Sequence, residues 1–121
     1  MKADDRFVVE FTGCSMHPVV PPGACLECRG DLPPQPGDIV VFNTGEGLVA
    51  HRVLECQRGS HGRQVLTAGD LCAHTDGLLG EEQLLGVVTT ISARGRQVDC
   101  HRRPVRALFR SLLWSRPHRA H

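Results

Sequence analysis

Short apolar runs, either alternating or β-branched, are separated by glycine and proline over the first hundred residues. The runs that predict strands are Phe7–Phe11, Ala24–Cys28, Ile39–Phe42, Leu48–Leu54, Gln64–Ala68, Val87–Ile91 and Gln97–His101. The turn clusters at 43–47 and 94–96 join two pairs of these runs as hairpins. Six prolines between 17 and 36 exclude a long helix there. We therefore expect a mostly β domain, built as a compact set of coiled antiparallel ribbons.

The pattern changes to a helical period near the C-terminus. Pro104 stands where a helix can begin, and apolar residues then recur at the spacing of one helix face, at Val105, Leu108, Phe109, Leu112 and Leu113. This predicts one amphipathic helix over 105–114, within a tail (103–121) that follows the β domain (1–102). The tail holds five arginines and no acid. We expect it to pack on the body or on a protein partner, or to lie on an anionic membrane surface.

Composition narrows the classes of partner. With 121 residues the chain is long enough for one domain. Residues 1–102 hold nine basic and thirteen acidic residues, and the chain has no tyrosine, so a nucleic-acid partner is not expected. No apolar run is long enough to span a membrane, and the charged first residues do not predict a signal peptide. We expect a cytoplasmic protein, peripheral at the membrane if the tail binds there.

Six cysteines in such a chain predict free thiols rather than a disulfide framework, although an exported, oxidised form stays open. Cys25 and Cys28 form one CxxC pair. A structural zinc site would need two further ligands, for which Cys72 and His74 are the candidates. The simpler interpretation is an extended segment with no metal, and we predict neither a metal nor another cofactor.

Four polar residues, at three places along the chain, carry the candidate chemistry. Ser15 follows a strand and a glycine, at a corner where a hydroxyl can stand beside free backbone N–H groups, as a serine nucleophile requires. His51 lies inside an apolar strand, and Asp70 and Asp76 lie in one loop. Lys2 is the only lysine, so an internal lysine base is excluded. Each of these signals by itself is more typical of an ordinary turn or core residue.

Taken in order, the blocks around these positions resemble the type I signal peptidases and the related LexA-type repressor peptidases. The blocks are Gly13-Cys14-Ser15-Met16-His17-Pro18, Pro36-Gly37-Asp38-Ile39-Val40-Val41-Phe42, Ala50-His51-Arg52-Val53, Thr67-Ala68-Gly69-Asp70 with Asp76, and Leu85-Gly86-Val87-Val88. The resemblance covers roughly residues 7–91. It implies the coiled β-ribbon fold of that superfamily. The pair His51-Arg52 resembles the His-Arg pair of the branch that uses a histidine base, which includes the endoplasmic-reticulum enzymes.

The resemblance also implies the role of each residue. Ser15 would be the nucleophile, His51 the base and Asp76 its partner, while Asp70 and Arg52 would support the site. Gly13 stands where many signal peptidases have a serine, so the oxyanion hole would use the backbone N–H groups of Ser15 and Gly13. Met16 and Pro18 would contact substrate. Leu71-Cys72 departs from the usual asparagine pair of this loop.

These assignments predict a serine endopeptidase that forms an acyl-enzyme through Ser15, His51 and Asp76. Its polypeptide substrate would add as an extended strand to a sheet edge near residues 11–18. The resemblance implies cleavage after a small residue. Because only 14 residues precede Ser15, we expect cleavage of a precursor or leader peptide in trans rather than self-cleavage. The alternative is a catalytically inactive relative that only binds peptides. A degenerate domain would be expected to lose at least one of the three residues.

Overall fold

The computed structural model describes residues 5–60 and 62–100, and this part of the chain is mostly antiparallel β-sheet. Eight strands and one short 3-10 helix follow one another along it. The strands are β1 (Arg6–Phe11), β2 (Ala24–Arg29), β3 (Ile39–Thr44), β4 (Gly47–Gly59), β5 (Gly62–Ala68), β6 (Leu78–Gly80), β7 (Leu84–Ala93) and β8 (Arg96–Asp99). The 3-10 helix is Glu81–Gln83, between β6 and β7. The mostly β prediction is confirmed.

The strands pair in the order β1-β2-β7-β3-β4-β5-β6, and β8 also pairs with β7. Hairpins join β3 to β4, β4 to β5 and β7 to β8. In the last of these, Arg94 and Gly95 both have positive φ, which is the backbone of a two-residue hairpin turn whose twist matches the flanking strands. The long strand β7 pairs with β2 and β3, and so connects the β1–β2 ribbon to the β3–β6 ribbons.

Alternating burial along the strands builds two apolar clusters. In β2 the side chains of Ala24, Leu26 and Cys28 point inward and those between them point to solvent, as the two-residue period of a strand requires. They join one cluster with Phe11 and Met16. The second cluster includes Val40, Phe42, Val53, Val65, Leu79 and Val87. The strand that carries His51 and the strand that leads to Ser15 therefore belong to a packed core.

The structure differs from the predicted strands most clearly at β4, β5 and β6. β4 continues beyond Leu54 to Gly59, and β5 begins at Gly62, because the two pair as one long hairpin. β6 was not predicted: its residues pair with 64–66 of β5, but a run of three is too short to show a period. The predicted helix 105–114 lies outside the described residues. Within the part that the structure describes, no helix is long and apolar enough to span a membrane.

Candidate active site

Ser15 lies in the tight turn that follows β1. The backbone N–H of His17 donates to the Cys14 carbonyl at 3.1 Å, and that of Val20 donates to the Met16 carbonyl at 2.8 Å. These bonds curl the chain just past the strand. Cys14 is exposed and Ser15 is half-buried, so the two neighbouring side chains stand in different surroundings. The Ser15 side chain therefore lies partly inside the molecule, whereas the Cys14 side chain lies in solvent.

His51 reaches this hydroxyl from β4. Its Nε2 lies 3.1 Å from Ser15 Oγ, within the range of a hydrogen bond. The imidazole stands edge-on to the Phe42 ring, with ring centres 6.0 Å apart, and the residue is 8% exposed. Packing from β3 thus fixes the plane of the imidazole and leaves one ring nitrogen for the serine.

Asp76 completes the row of polar groups. Its Oδ2 lies 2.7 Å from Nδ1 of His51, on the side of the ring away from Ser15. An ionised carboxylate only accepts hydrogen bonds, so Nδ1 carries the proton of a neutral imidazole and Nε2 has a free lone pair. That lone pair faces the Ser15 hydroxyl. The arrangement can take a proton from Ser15 and stabilise the imidazolium that results.

A buried ion pair holds the loop between β5 and β6. Arg52 is 2% exposed, and its guanidinium donates to both carboxylate oxygens of Asp70, at 3.2 and 2.7 Å. It also donates to the Gly37 carbonyl at 3.1 Å. Because His51 and Arg52 are neighbours on a strand, their side chains leave on opposite faces. His51 therefore faces Ser15 while Arg52 anchors the loop that carries Asp70 and Asp76.

The same loop is tied directly to the serine turn. Leu71 N–H donates to the Ser15 carbonyl at 2.8 Å, and Asp70 N–H contacts Met16 Sδ at 3.3 Å. Gly69 packs so closely that a Cβ atom there would lie 2.9 Å from His51 Nε2 and 3.0 Å from Ser15 Cβ. Only a residue without a side chain fits at this position without moving its neighbours.

Met16 and Pro18, the two residues expected to contact substrate, differ in their exposure to solvent. Met16 is fully buried in the first core cluster, so the expectation that it contacts substrate needs correction: its side chain supports the turn from below. A hydrophobic residue beside a nucleophile can serve either purpose, and the pattern alone did not separate them. Pro18 is exposed and lines a groove of about 500 Å³ together with Val19, Pro21 and residues of β7 and β8.

The residues expected to form an oxyanion hole lie at the turn. Within the described residues, the backbone N–H groups of Gly13 and Ser15 donate no hydrogen bond. An oxyanion hole needs such unengaged donors beside the nucleophile.

The CxxC pair does not form the centre of a metal site. Cys25 is exposed and Cys28 is buried, on opposite faces of β2. Burial, with a smaller effect of Cys100, raises the pKa of the Cys28 thiol to about 12, which disfavours the thiolate that a metal binds. No three His, Cys, Asp or Glu side chains among residues 5–60 and 62–100 are grouped to hold a metal ion. The zinc alternative therefore has no support in this part of the chain.

Sequence reasoning missed one residue that contacts the site. Thr67, near the end of β5, donates its hydroxyl to Asp76 Oδ2 at 2.7 Å. A β-branched residue in an apolar run is typical of a strand, so its polar role carried no separate signal.

A scan against protein-family models and a search of curated proteins find no match to the chain.

Proposed function

We propose that the chain is a serine endopeptidase that cleaves a precursor or leader peptide in trans. The observation that carries this proposal is the unbroken row from Ser15 Oγ to His51 Nε2 at 3.1 Å and from His51 Nδ1 to Asp76 Oδ2 at 2.7 Å. A hydroxyl, an imidazole and a carboxylate in this order form the general arrangement for nucleophilic catalysis by serine.

The reaction would proceed by acyl transfer. His51 Nε2 takes the proton of the Ser15 hydroxyl as Oγ attacks the carbonyl carbon of the scissile peptide. The C–N bond then breaks, and the imidazolium gives the proton to the leaving amine. Water, deprotonated by the same imidazole, attacks the ester carbonyl; the C–O bond to Ser15 then breaks, the imidazolium returns the proton to Ser15 Oγ, and the carboxylic acid product leaves. Throughout, Asp76 stabilises the imidazolium through Nδ1–H, and the N–H groups of Ser15 and Gly13 would stabilise the oxyanion.

The sheet offers edges for an extended substrate. Among the described strands β1 pairs with β2 alone, and it leads directly to the serine turn. β4 pairs with β3 from Gly47 to Arg52, whereas its pairing with β5 begins only at Arg52, so the edge of 47–51 that faces away from β3 is open within the described residues. The open edge of β4 ends at His51, and β1 ends at Phe11, four residues before Ser15. Strand addition to such an edge recognises peptide backbone independently of most side chains.

The resemblance to the type I signal peptidases and LexA-type peptidases supports the same proposal and narrows it. It implies a small residue before the scissile bond and a histidine-base mechanism at His51-Arg52. The close approach of Gly69 to Ser15 and His51 is consistent with a narrow space around the reacting groups. The cytoplasmic site of action and a contact of residues 105–114 with a membrane or protein partner remain part of this proposal.

The test is cleavage of a proteome-derived peptide library, with new termini identified by mass spectrometry. The wild-type chain should generate new N-termini that follow small residues, and Ser15→Ala should generate none while retaining its fold. Cys14→Ala is the matched control, since it alters the neighbouring nucleophile, and it should cleave as the wild type does. Equal cleavage by Ser15→Ala would refute the assignment. No cleavage by the wild type, together with retained binding of peptides, would favour the inactive peptide-binding alternative.

A further inference from the structure

Thr67 occupies a position from which it controls the orientation of Asp76. Its side chain is fully buried, and its hydroxyl donates to Asp76 Oδ2 at 2.7 Å. This is the same oxygen that lies 2.7 Å from His51 Nδ1. The Thr67 carbonyl also accepts the backbone N–H of Asp76 at 2.7 Å. One residue thus holds both the main chain and the carboxylate of Asp76.

The register of the sheet explains why Thr67 faces the site. Thr67 pairs with Val53 across the β4–β5 hairpin, so the two side chains lie on the same face. His51 is two residues before Val53 on β4 and shares that face. Thr67 and His51 are therefore held by two hydrogen-bonded strands. Asp76 belongs to the loop that follows, and its side chain is 24% exposed, so it gains its fixed position from these two residues.

We propose that Thr67 is a positioning residue for the peptidase reaction, a role that rests on the function proposed above. Its hydroxyl keeps Oδ2 directed at His51 Nδ1, which holds the imidazole in the tautomer that can accept the Ser15 proton. Without that hydroxyl the carboxylate can rotate about its last bond and turn toward solvent.

The kinetic test compares three variants at position 67 with one control. Thr67→Val removes the hydroxyl but keeps the branched shape, and Thr67→Ala removes it without placing a methyl group against the carboxylate. Both should lower kcat about 10-fold to 100-fold and leave KM within about twofold, because a hydrogen bond to a charged group is lost and no substrate contact changes. Thr67→Ser should restore kcat. Thr89→Val removes a comparable hydroxyl, which donates to the Glu27 carbonyl at 3.1 Å away from the site, and should leave kcat unchanged.

A second readout is independent of cleavage: the NMR resonance of the His51 Nδ1 proton, recorded in the Ser15→Ala background. The bond to Asp76 should shift this resonance downfield and protect it from exchange in Thr67 and Thr67→Ser chains. It should broaden or disappear in Thr67→Val and Thr67→Ala. An unchanged resonance in those two variants, or its absence when Thr67 is intact, would overturn the positioning role. If no chain cleaves peptide but the resonance responds as expected, the proposed peptidase function fails and the positioning of Asp76 stands.

Discussion

Alanine at position 69 would insert a methyl group between the two groups that must exchange a proton. The new Cβ would lie 2.9 Å from His51 Nε2, 3.0 Å from Ser15 Cβ and 2.6 Å from Cys72 Sγ, where ordinary contacts begin near 3.4 Å. The thiol is the end of a side chain and can turn aside. The imidazole is held by Phe42 and Asp76, and Ser15 Cβ is part of a turn bonded to Leu71, so relief requires each to move by about 0.5 Å.

A shift of that size separates the hydroxyl from its base. The contact of 3.1 Å between Ser15 Oγ and His51 Nε2 is already at the long end for a hydrogen bond and would open beyond it. Misplacement of reacting groups by about 1 Å can cost on the order of 100-fold in rate. We therefore expect Gly69→Ala to lower kcat/KM about 10-fold to 100-fold. The unfolding free energy should fall by about 1–3 kcal/mol, the usual cost of overpacking.

The assay is cleavage of an identified library peptide by Gly69→Ala, with the unfolding free energy measured in urea. Gly45→Ala is the matched control, because a Cβ there meets nothing within 4 Å, and it should match the wild type in rate. Adding Cys72→Ala to Gly69→Ala should recover only part of the rate, since His51 and Ser15 still meet the methyl group. Full activity in Gly69→Ala would refute the inferred proximity of Ser15 and His51, and full recovery in the double variant would assign the effect to Cys72 alone.

Three further predictions follow from the site and its supports. Asp76→Asn should lower kcat by at least about 100-fold with little change in fold, because a neutral amide no longer stabilises the imidazolium that forms as Ser15 attacks; a loss of less than about tenfold would contradict the role of Asp76. Asp70→Ala should lower the unfolding free energy in urea by about 3–5 kcal/mol, because it leaves the buried Arg52 guanidinium without its carboxylate, and an effect near zero would contradict the anchoring role. The unfolding free energy should fall as pH rises from about 9 toward 12, because burial raises the pKa of Cys28 to about 12 and the unfolded chain loses that thiol proton first. Cys28→Ala should make this alkaline fall less steep, and an equal slope between pH 8 and pH 10 would count against the inferred burial.

The sequence blocks contain Ser15, His51 and Asp76, which the structure brings within hydrogen-bond distance of one another, but they gave no role to the residue that holds Asp76. A glycine-serine corner, a histidine in an apolar strand and a loop aspartate are weak signals singly, but their order and spacing were informative together. The role of Thr67 depends on the register of β4 against β5, which includes a bulge between Val53 and Glu55. Such a register is set by pairing between strands and cannot be read from either strand alone.

The sequence pattern also did not predict which side chains of the serine turn are buried. Met16 and Pro18 stand close together in one turn, yet Met16 is fully buried and Pro18 is exposed. The turn curls through hydrogen bonds from His17 and Val20, and this curl directs Met16 into the core. In an extended segment the alternation of faces would have predicted the direction of each side chain. The turn breaks that alternation, and only the packed structure shows the result.

The proposed function requires that the imidazole of His51 activate the hydroxyl of Ser15 for covalent attack. It is tested most directly by treating the folded chain with a fluorophosphonate and locating the adduct by mass spectrometry of its peptides. We expect one adduct, on Ser15, which forms in Cys14→Ala and is lost in His51→Ala. An unmodified Ser15, or labelling that proceeds equally well without His51, would contradict it.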